Sequence, residues 1–296
     1  MGAWSSGTGF SGFLGSLVYT LLITPWIDFD NKTVFIVISP LVVVYALVFF
    51  FLLKRPSREA EIAAIKGETV KPDDSDETEP LLSNGDETSI NADESAEAVP
   101  NAEEQPKDTT GGRFKRCVKY VWWRWLNITL VYLFQYVSCT GGSDRAQGGD
   151  YKHDSNWFIR NSYVVLNLMY QFGTLLSRSS LSLFKVKYIE IITVLQLINF
   201  VFWLVQGTIH FVQGYPIIWV LFVHMFYVGV VGGFSYVNGF YLVLHDEKIP
   251  TKDREFCMSL TSFSGSFGIV ASSLFIILLD NTLWKISPTP AFSSSS

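Results

Sequence analysis

The sequence has no basic residue at its start: MGAWSSGTGFSGFLGSLVYTLLI runs from Met1 to Ile23 without one. A signal peptide needs a positively charged opening and a soluble domain after the cleavage site, so none is expected. Cysteine is scarce. Cys117, Cys139 and Cys257 form no disulfide framework and no metal-ligand spacing. Charge is missing from most of the chain, because sixteen of the 27 acidic residues lie between Lys54 and Lys119 and eleven serve the other segments. The net charge of −5 therefore describes one segment and says little about partners. No catalytic triad, metal cluster or phosphate-binding loop is present, and the histidines lack paired carboxylates at useful spacing. Enzymatic activity, a cofactor, a bound metal and a nucleic-acid partner are accordingly not expected.

What the chain does have is apolar length. Val34 to Leu53, VFIVISPLVVVYALVFFFLL, contains no charge in 20 residues. As a helix it would span roughly 30 Å, the thickness of a bilayer's hydrocarbon core. A helix at a soluble protein's surface would carry a polar stripe, and this one has none. Seven such segments are expected, at about 2–23, 34–53, 120–139, 157–177, 188–207, 216–244 and 257–281. The third and fifth are interrupted by polar residues, and the sixth is long enough to tilt or break.

Basic residues in short flanks set the orientation. Lys54, Arg55 and Arg58 follow the second segment, and Arg113, Lys115, Arg116, Lys119 and Arg124 flank the third. Both ends of the acidic stretch are thus assigned to the cytosol. Counting crossings outward puts Arg178, Lys185 and Lys187, then Lys248, Lys252 and Arg254, on that side too. The expected fold is all-α: a polytopic membrane protein of about seven transmembrane helices with a long disordered cytosolic loop. Residues 1–53 would hold two helices, 54–119 the loop, 120–282 five helices and 283–296 a low-complexity tail. The loop is rich in Glu, Asp, Ser, Thr, Asn and Pro with almost no aromatics, so it cannot bury enough apolar surface to offset the entropy of ordering.

Within the loop, ETEPLL places Glu77 four residues before the pair Leu81-Leu82. This fits the dileucine signal read by clathrin adaptors, in which an extended peptide offers two apolar side chains and a carboxylate. Chance in an acidic tract is the competing explanation. Gly2 with Ser6 matches a myristoylation pattern, but Gly7, Gly9, Gly12 and Gly15 read better as a small-residue packing face. Cys117 at the cytosolic edge is a lipidation candidate or a buried, idle thiol.

Gly173 and Arg178, at the cytosolic end of the fourth segment, resemble the G-x-x-x-D-R loop of major facilitator transporters, with Ser177 in place of the Asp. Further islands follow a fixed order: WSSGTG (Trp4–Gly9), YQ (Tyr170-Gln171) with SRSSL (Ser177–Leu181), GGFSYVN (Gly232–Asn238) and REFCM (Arg254–Met258). Together with the acidic loop and its Leu-Leu pair, they resemble the battenin family, lysosomal membrane proteins whose loss causes juvenile neuronal ceroid lipofuscinosis. The resemblance implies a major-facilitator-like bundle of two lobes. It also implies residence in the lysosomal or vacuolar membrane and a link to luminal pH, basic amino acids and glycerophosphodiester export. WSSGTG lies well inside members of that family, so the chain is expected to be an N-terminally truncated form, with residues 1–53 ending the first lobe. Two carboxylates usual in the family are replaced here, one by Gln135 in Tyr132-Leu133-Phe134-Gln135-Tyr136 and one near Gly265.

Candidate solute contacts are His224, Tyr236, Asn238, Gln135, Tyr170 and Gln171. His224 could carry protons or bind an anion, or simply bond a neighbouring helix. Gly232-Gly233 would mark a helix break that opens a cavity beside Tyr236 and Asn238, or a packing contact. Gly173, Arg178, Arg254 and Glu255 are candidates for a conformational latch. The expected partners are the lipid bilayer, an unidentified small solute and a clathrin adaptor. The alternative function is a non-transporting scaffold in lysosomal or vacuolar trafficking.

Overall fold

The structure is a computed structural model that describes residues 2–25, 27, 29–52, 110–147, 151–179, 186 and 188–286. Its helices are α1 (Gly2–Ile23), α2 (Asn31–Ile38), α3 (Pro40–Leu47), α4 (Thr110–Tyr136), α5 (Trp157–Arg160), α6 (Ser162–Ser179), α7 (Ile189–Ile209), α8 (Ile218–Leu244), α9 (Thr251–Asn281) and α10 (Leu283–Ile286). Wider π-helical turns continue α3 through Val48–Leu52 and α4 through Val137–Gly142. The chain divides into a unit of residues 1–34 with 108–296 and a second unit of residues 35–107. It is an all-α polytopic membrane protein.

Among the described residues, five stretches are long and apolar enough to cross a membrane: Ser6–Ile23, Lys32–Phe51, Ile189–Ile209, Ile218–Leu244 and Thr251–Lys285. The other two expected crossings are helical but more polar. Lys119, Arg124, Asn127 and Gln135 interrupt α4, and the 18 residues of α6 include Asn167, Gln171, Thr174, Ser177 and Arg178. Both helices are largely enclosed by others. α6 packs on α1 and most extensively on α8, while α4 packs on α7, α8 and especially α9. Their polar faces thus meet protein rather than lipid, which a hydropathy window cannot register.

In the second unit, Pro40 lacks the N–H that would reach the Ile36 carbonyl. The Ser39 hydroxyl donates to that oxygen instead, at 2.9 Å, and the helix resumes with Pro40 in its first turn. The side chains of this stretch are apolar all round and exposed, Phe51 at 80% and Phe50 at 73%. That is the pattern of a lipid-facing span.

Two expected boundaries move. The loop expected to end at 119 gives way to helix at Thr110. Residues 110–119 are basic, and Asp253 fixes them to α9: its carboxylate accepts from Arg113 Nε at 3.1 Å and Arg116 Nη2 at 3.4 Å. At the other end, the tail expected from 283 begins with the helical turn α10. There Trp284 is buried, donating from Nε1 to Thr208 Oγ1 at 3.3 Å beneath the Arg145 guanidinium.

Hydrogen bonds between elements agree with the parity of crossings read from charge. Arg178 Nη1 reaches Thr8 Oγ1 at 3.2 Å, and Trp157 Nε1 reaches the Ile23 carbonyl at 3.4 Å, tying α1 to α6 and α5 at opposite ends. Arg124 pairs with Asp246 at 2.6 Å, and Arg145 donates to the Gly207 and Trp284 carbonyls at 3.2 and 3.3 Å. Each of these ties joins two segments that the basic-residue count assigns to one side of the membrane.

Candidate functional site

The polar interior of the first unit is built by three helices. On α4, Tyr132 and Tyr136 are four residues apart and therefore share a face. Their rings stack with centroids 6.0 Å apart and planes 15° from parallel. α8 adds Tyr236, 6.4 Å from Tyr132. α6 contributes buried Tyr170 and, in its last turn, Arg178. The guanidinium of Arg178 lies 4.4 Å over the Tyr236 ring, donates to Thr8 Oγ1, and is within electrostatic reach of Tyr132. Tyr170 is close enough to Tyr132, Tyr136 and Arg178 for electrostatic interaction. Gln135, on the same turn of α4, is buried, and its Oε1 has no hydrogen-bond partner.

A guanidinium over one tyrosine ring, with three more tyrosines within electrostatic reach, has the chemistry of an anion-binding group. Arg supplies forked donors, the hydroxyls donate or accept, and low-dielectric surroundings strengthen each bond. Charged residues within such bundles characteristically mark solute pathways.

The close approach of α6 and α8 holds these groups in register. Gly173 lies against the Phe226 carbonyl and Val230 N–H, and Gly229 against the Tyr170 carbonyl and Thr174 N–H. Gly232 and Gly233 serve the same end rather than breaking the helix: α8 runs unbroken from Ile218 to Leu244. A methyl group at Gly232 would overlap Gln135 Oε1, and one at Gly233 would overlap Ser177 Oγ. The expected break is thus replaced by packing, whose partners lie on other helices and are invisible in a local reading.

Several sequence candidates fall elsewhere. Asn238 is fully buried with its amide engaged, accepting from Val186 N at 2.7 Å and donating to the Phe234 carbonyl at 2.9 Å. It ties the chain before α7 to α8 instead of lining a cavity. His224 points to the outer flank of α7 and α8, its ring centroid 4.0 Å from that of Phe202. It lines an open recess with Trp219, Val220, Val223 and Tyr227, all exposed apolar side chains. That is a lipid-facing flank, on a helix so apolar all round that its pattern could not tell one flank from another. Gln171 packs its amide against Gly12 of α1. Arg254 donates to the Ile249 carbonyl at 3.4 Å, closing its own turn, and Glu255 is exposed. Cys117 is wholly buried, 3.8 Å from the Asp253 carbonyl, and presents no surface for lipidation. Glu77, Leu81 and Leu82 lie outside the described residues.

Sequence reasoning missed Tyr132, Tyr136 and Asp253. The tyrosines carried a signal, since their four-residue spacing with Gln135 between them puts three polar-tipped side chains on adjoining positions of α4. Asp253 carried little: as one of two acids in Thr251–Glu255, it resembles any acid at a helix N-terminus.

A family model described as "CLN3 protein" matches residues 1–286. The chain is 39% identical over 309 aligned residues to "Battenin" of Dictyostelium discoideum, covering 99% of this chain and 68% of that protein. It is 27% identical to "Protein btn-1" of Neurospora crassa, covering 97% and 63%, and 30% identical to "Protein BTN1" of Yarrowia lipolytica, covering 95% and 64%. The chain thus spans about two thirds of the length of these relatives. No solved structure matches. The order of sequence islands, the helical membrane fold and these likenesses agree: the chain belongs to the battenin, or CLN3 protein, family.

Proposed function

We propose that the chain is a transporter-like protein of the lysosomal or vacuolar membrane, of major-facilitator-like architecture, that exports a small solute and so contributes to luminal pH homeostasis. The observation that carries this reading is the grouping of Tyr132, Tyr136, Tyr170 and Tyr236 around Arg178. Of the two solute classes that the family resemblance implies, this grouping favours the glycerophosphodiester. A phosphodiester brings one negative charge and acceptor oxygens to a guanidinium and phenol donors, whereas a basic amino acid would bring its side-chain cation against Arg178.

The test is uptake into proteoliposomes that hold the purified protein. Glycerophosphodiester should enter faster than into empty vesicles, and Arg178→Gln should slow entry by about 10- to 100-fold, as loss of a charge-assisted bond of about 1.5–3 kcal/mol implies. Equal entry of diester with and without protein, or selective uptake of lysine, would remove this reading.

A further inference from the structure

A polar cavity lies away from the tyrosine cluster, where the first part of α4 meets the start of α7 and the end of α8. Its volume is about 310 Å³, at the lower end of the range of small-ligand sites, about 300–1,000 Å³. Lys119, Tyr120, Trp123 and Arg124 contribute from α4, Glu190 from α7, and Asp246 and Lys248 from the turn after α8. Trp123 precedes Tyr132 by nine residues, about 13 Å along the helix, so the two sites are distinct.

The charges in this cavity are arranged unequally. Both acids are already engaged: Asp246 holds Arg124 at 2.6 Å and the Lys248 backbone N–H at 2.9 Å, while Glu190 accepts from Trp123 Nε1 at 2.6 Å. Burial works against the charge on Asp246, but the Lys248 N–H and the Arg124 guanidinium hold its carboxyl below the usual carboxylate range, so it stays ionised and keeps Arg124 neutralised. The Lys248 ammonium also acts on Asp246, though without pairing to it, and Lys119 is left over. Lys119 and Lys248 are exposed at the rim and make no ion pair among the described residues. The first turn of α7 opens on the same cavity through Ile189 and Glu190, and its N-cap residue Tyr188 supplies no side-chain bond to the free N–H groups there. A helix start with uncapped N–H groups adds a second source of positive potential.

The surroundings indicate depth in the bilayer. Trp122 is 54% exposed, Trp123 45% and Tyr188 67%. Exposed Trp and Tyr beside lysine, at the ends of membrane-crossing helices, mark the headgroup level. We propose that this cavity binds a phosphate-bearing anion, with its lysines on the phosphate and Trp123 and Tyr120 against the remainder of the headgroup, and that the source is an acidic phospholipid of the surrounding leaflet.

The test uses the purified full-length chain in detergent and three probes: dioctanoyl phosphatidylinositol 4-phosphate, dioctanoyl phosphatidylcholine and inorganic phosphate, with binding read by native mass spectrometry and thermophoresis. The phosphorylated inositide should bind, phosphatidylcholine should not compete, and the pair Lys119→Gln with Lys248→Gln should weaken binding about tenfold or more, given the attraction each surface cation exerts on anionic lipid. The pair Lys119→Arg with Lys248→Arg keeps the charge and should keep binding, so loss of charge is separated from damage to the fold. Inorganic phosphate binding as tightly as the inositide would support the phosphate site and overturn its lipid source. Undiminished inositide binding by the Gln pair, or equal binding of phosphatidylcholine, would overturn the site itself.

Discussion

Gly173 on α6 and Gly229 on α8 each meet the other helix's main chain, so the two helices touch backbone to backbone with no side chain between them. A methyl group at Gly173 would overlap the Phe226 carbonyl oxygen, and one at Gly229 the Tyr170 carbonyl oxygen. This contact sets the separation of the helices that carry Arg178 and Tyr236, and packing of small residues is the principal means by which helices associate in lipid.

Gly173→Ala and Gly229→Ala are therefore expected to destabilise the protein by about 1–3 kcal/mol each, the usual cost of overpacking. Gly15→Ala is the control, since nothing lies within 4 Å of the added carbon. Thermal unfolding in detergent micelles should rank the two interface variants below the wild type and leave Gly15→Ala unchanged or slightly raised.

Asp253 joins α9 to the basic start of α4, with 1% of its side chain exposed against 38% for each arginine. Asp253→Asn keeps the shape and removes the charge. Because the arginines are partly solvated, the expected loss is about 1–3 kcal/mol, below the 3–5 kcal/mol typical of breaking a fully buried pair. Hydrogen exchange should show residues 110–119 losing protection first. Unchanged exchange there would mean that the helix start is held by something else.

The Arg124–Asp246 pair carries a pH dependence of definite sign. Asp246 has a folded-state pKa below its ordinary value: burial opposes its charge, and the Lys248 N–H and Arg124 outweigh that opposition. Its contribution is thus fully present above the unfolded-state carboxylate value of about 3.9 and is lost as pH falls through the lower folded value. As the pair is partly exposed, about 0.5–1 kcal/mol is expected. Asp246→Asn should flatten the acid limb of the stability curve by that amount and leave its neutral region otherwise parallel.

How much was legible in the sequence follows from where the information lies. Apolar length identified Lys32–Phe51, Ile189–Ile209 and Ile218–Leu244 as spans, because a bilayer's thickness translates directly into residue count. Basic flanks ordered the helix ends, and those ends are hydrogen-bonded in matching pairs. The first ten residues of α4 escaped notice because Gly111-Gly112 and a run of cations look like loop until Asp253 is placed beside them. Gly232-Gly233 read as a break beside a cavity or as a packing contact, and packing is the outcome, against Gln135 and Ser177, which a local reading could not name. The Tyr132–Tyr136–Tyr236 grouping depends on which faces of α4 and α8 meet, and on α8, apolar all round, no periodicity announces that.

His224 supplies a prediction of the opposite kind. Its ring packs on Phe202 in an outward recess bordered by Val223 and Tyr227. His224→Leu should therefore leave solute uptake into proteoliposomes within about twofold of wild type, as expected for an apolar swap away from the reacting groups. A loss as large as that of Arg178→Gln would place His224 in the solute path.

The most direct measurement is calorimetric titration of the purified chain with a glycerophosphodiester, comparing wild type with Arg178→Lys and Arg178→Gln. The arrangement around Arg178 predicts binding by the wild type, weaker binding by Arg178→Lys, which keeps the charge but loses the planar fork, and binding at least about tenfold weaker by Arg178→Gln. Indistinguishable titrations for wild type and Arg178→Gln would contradict it.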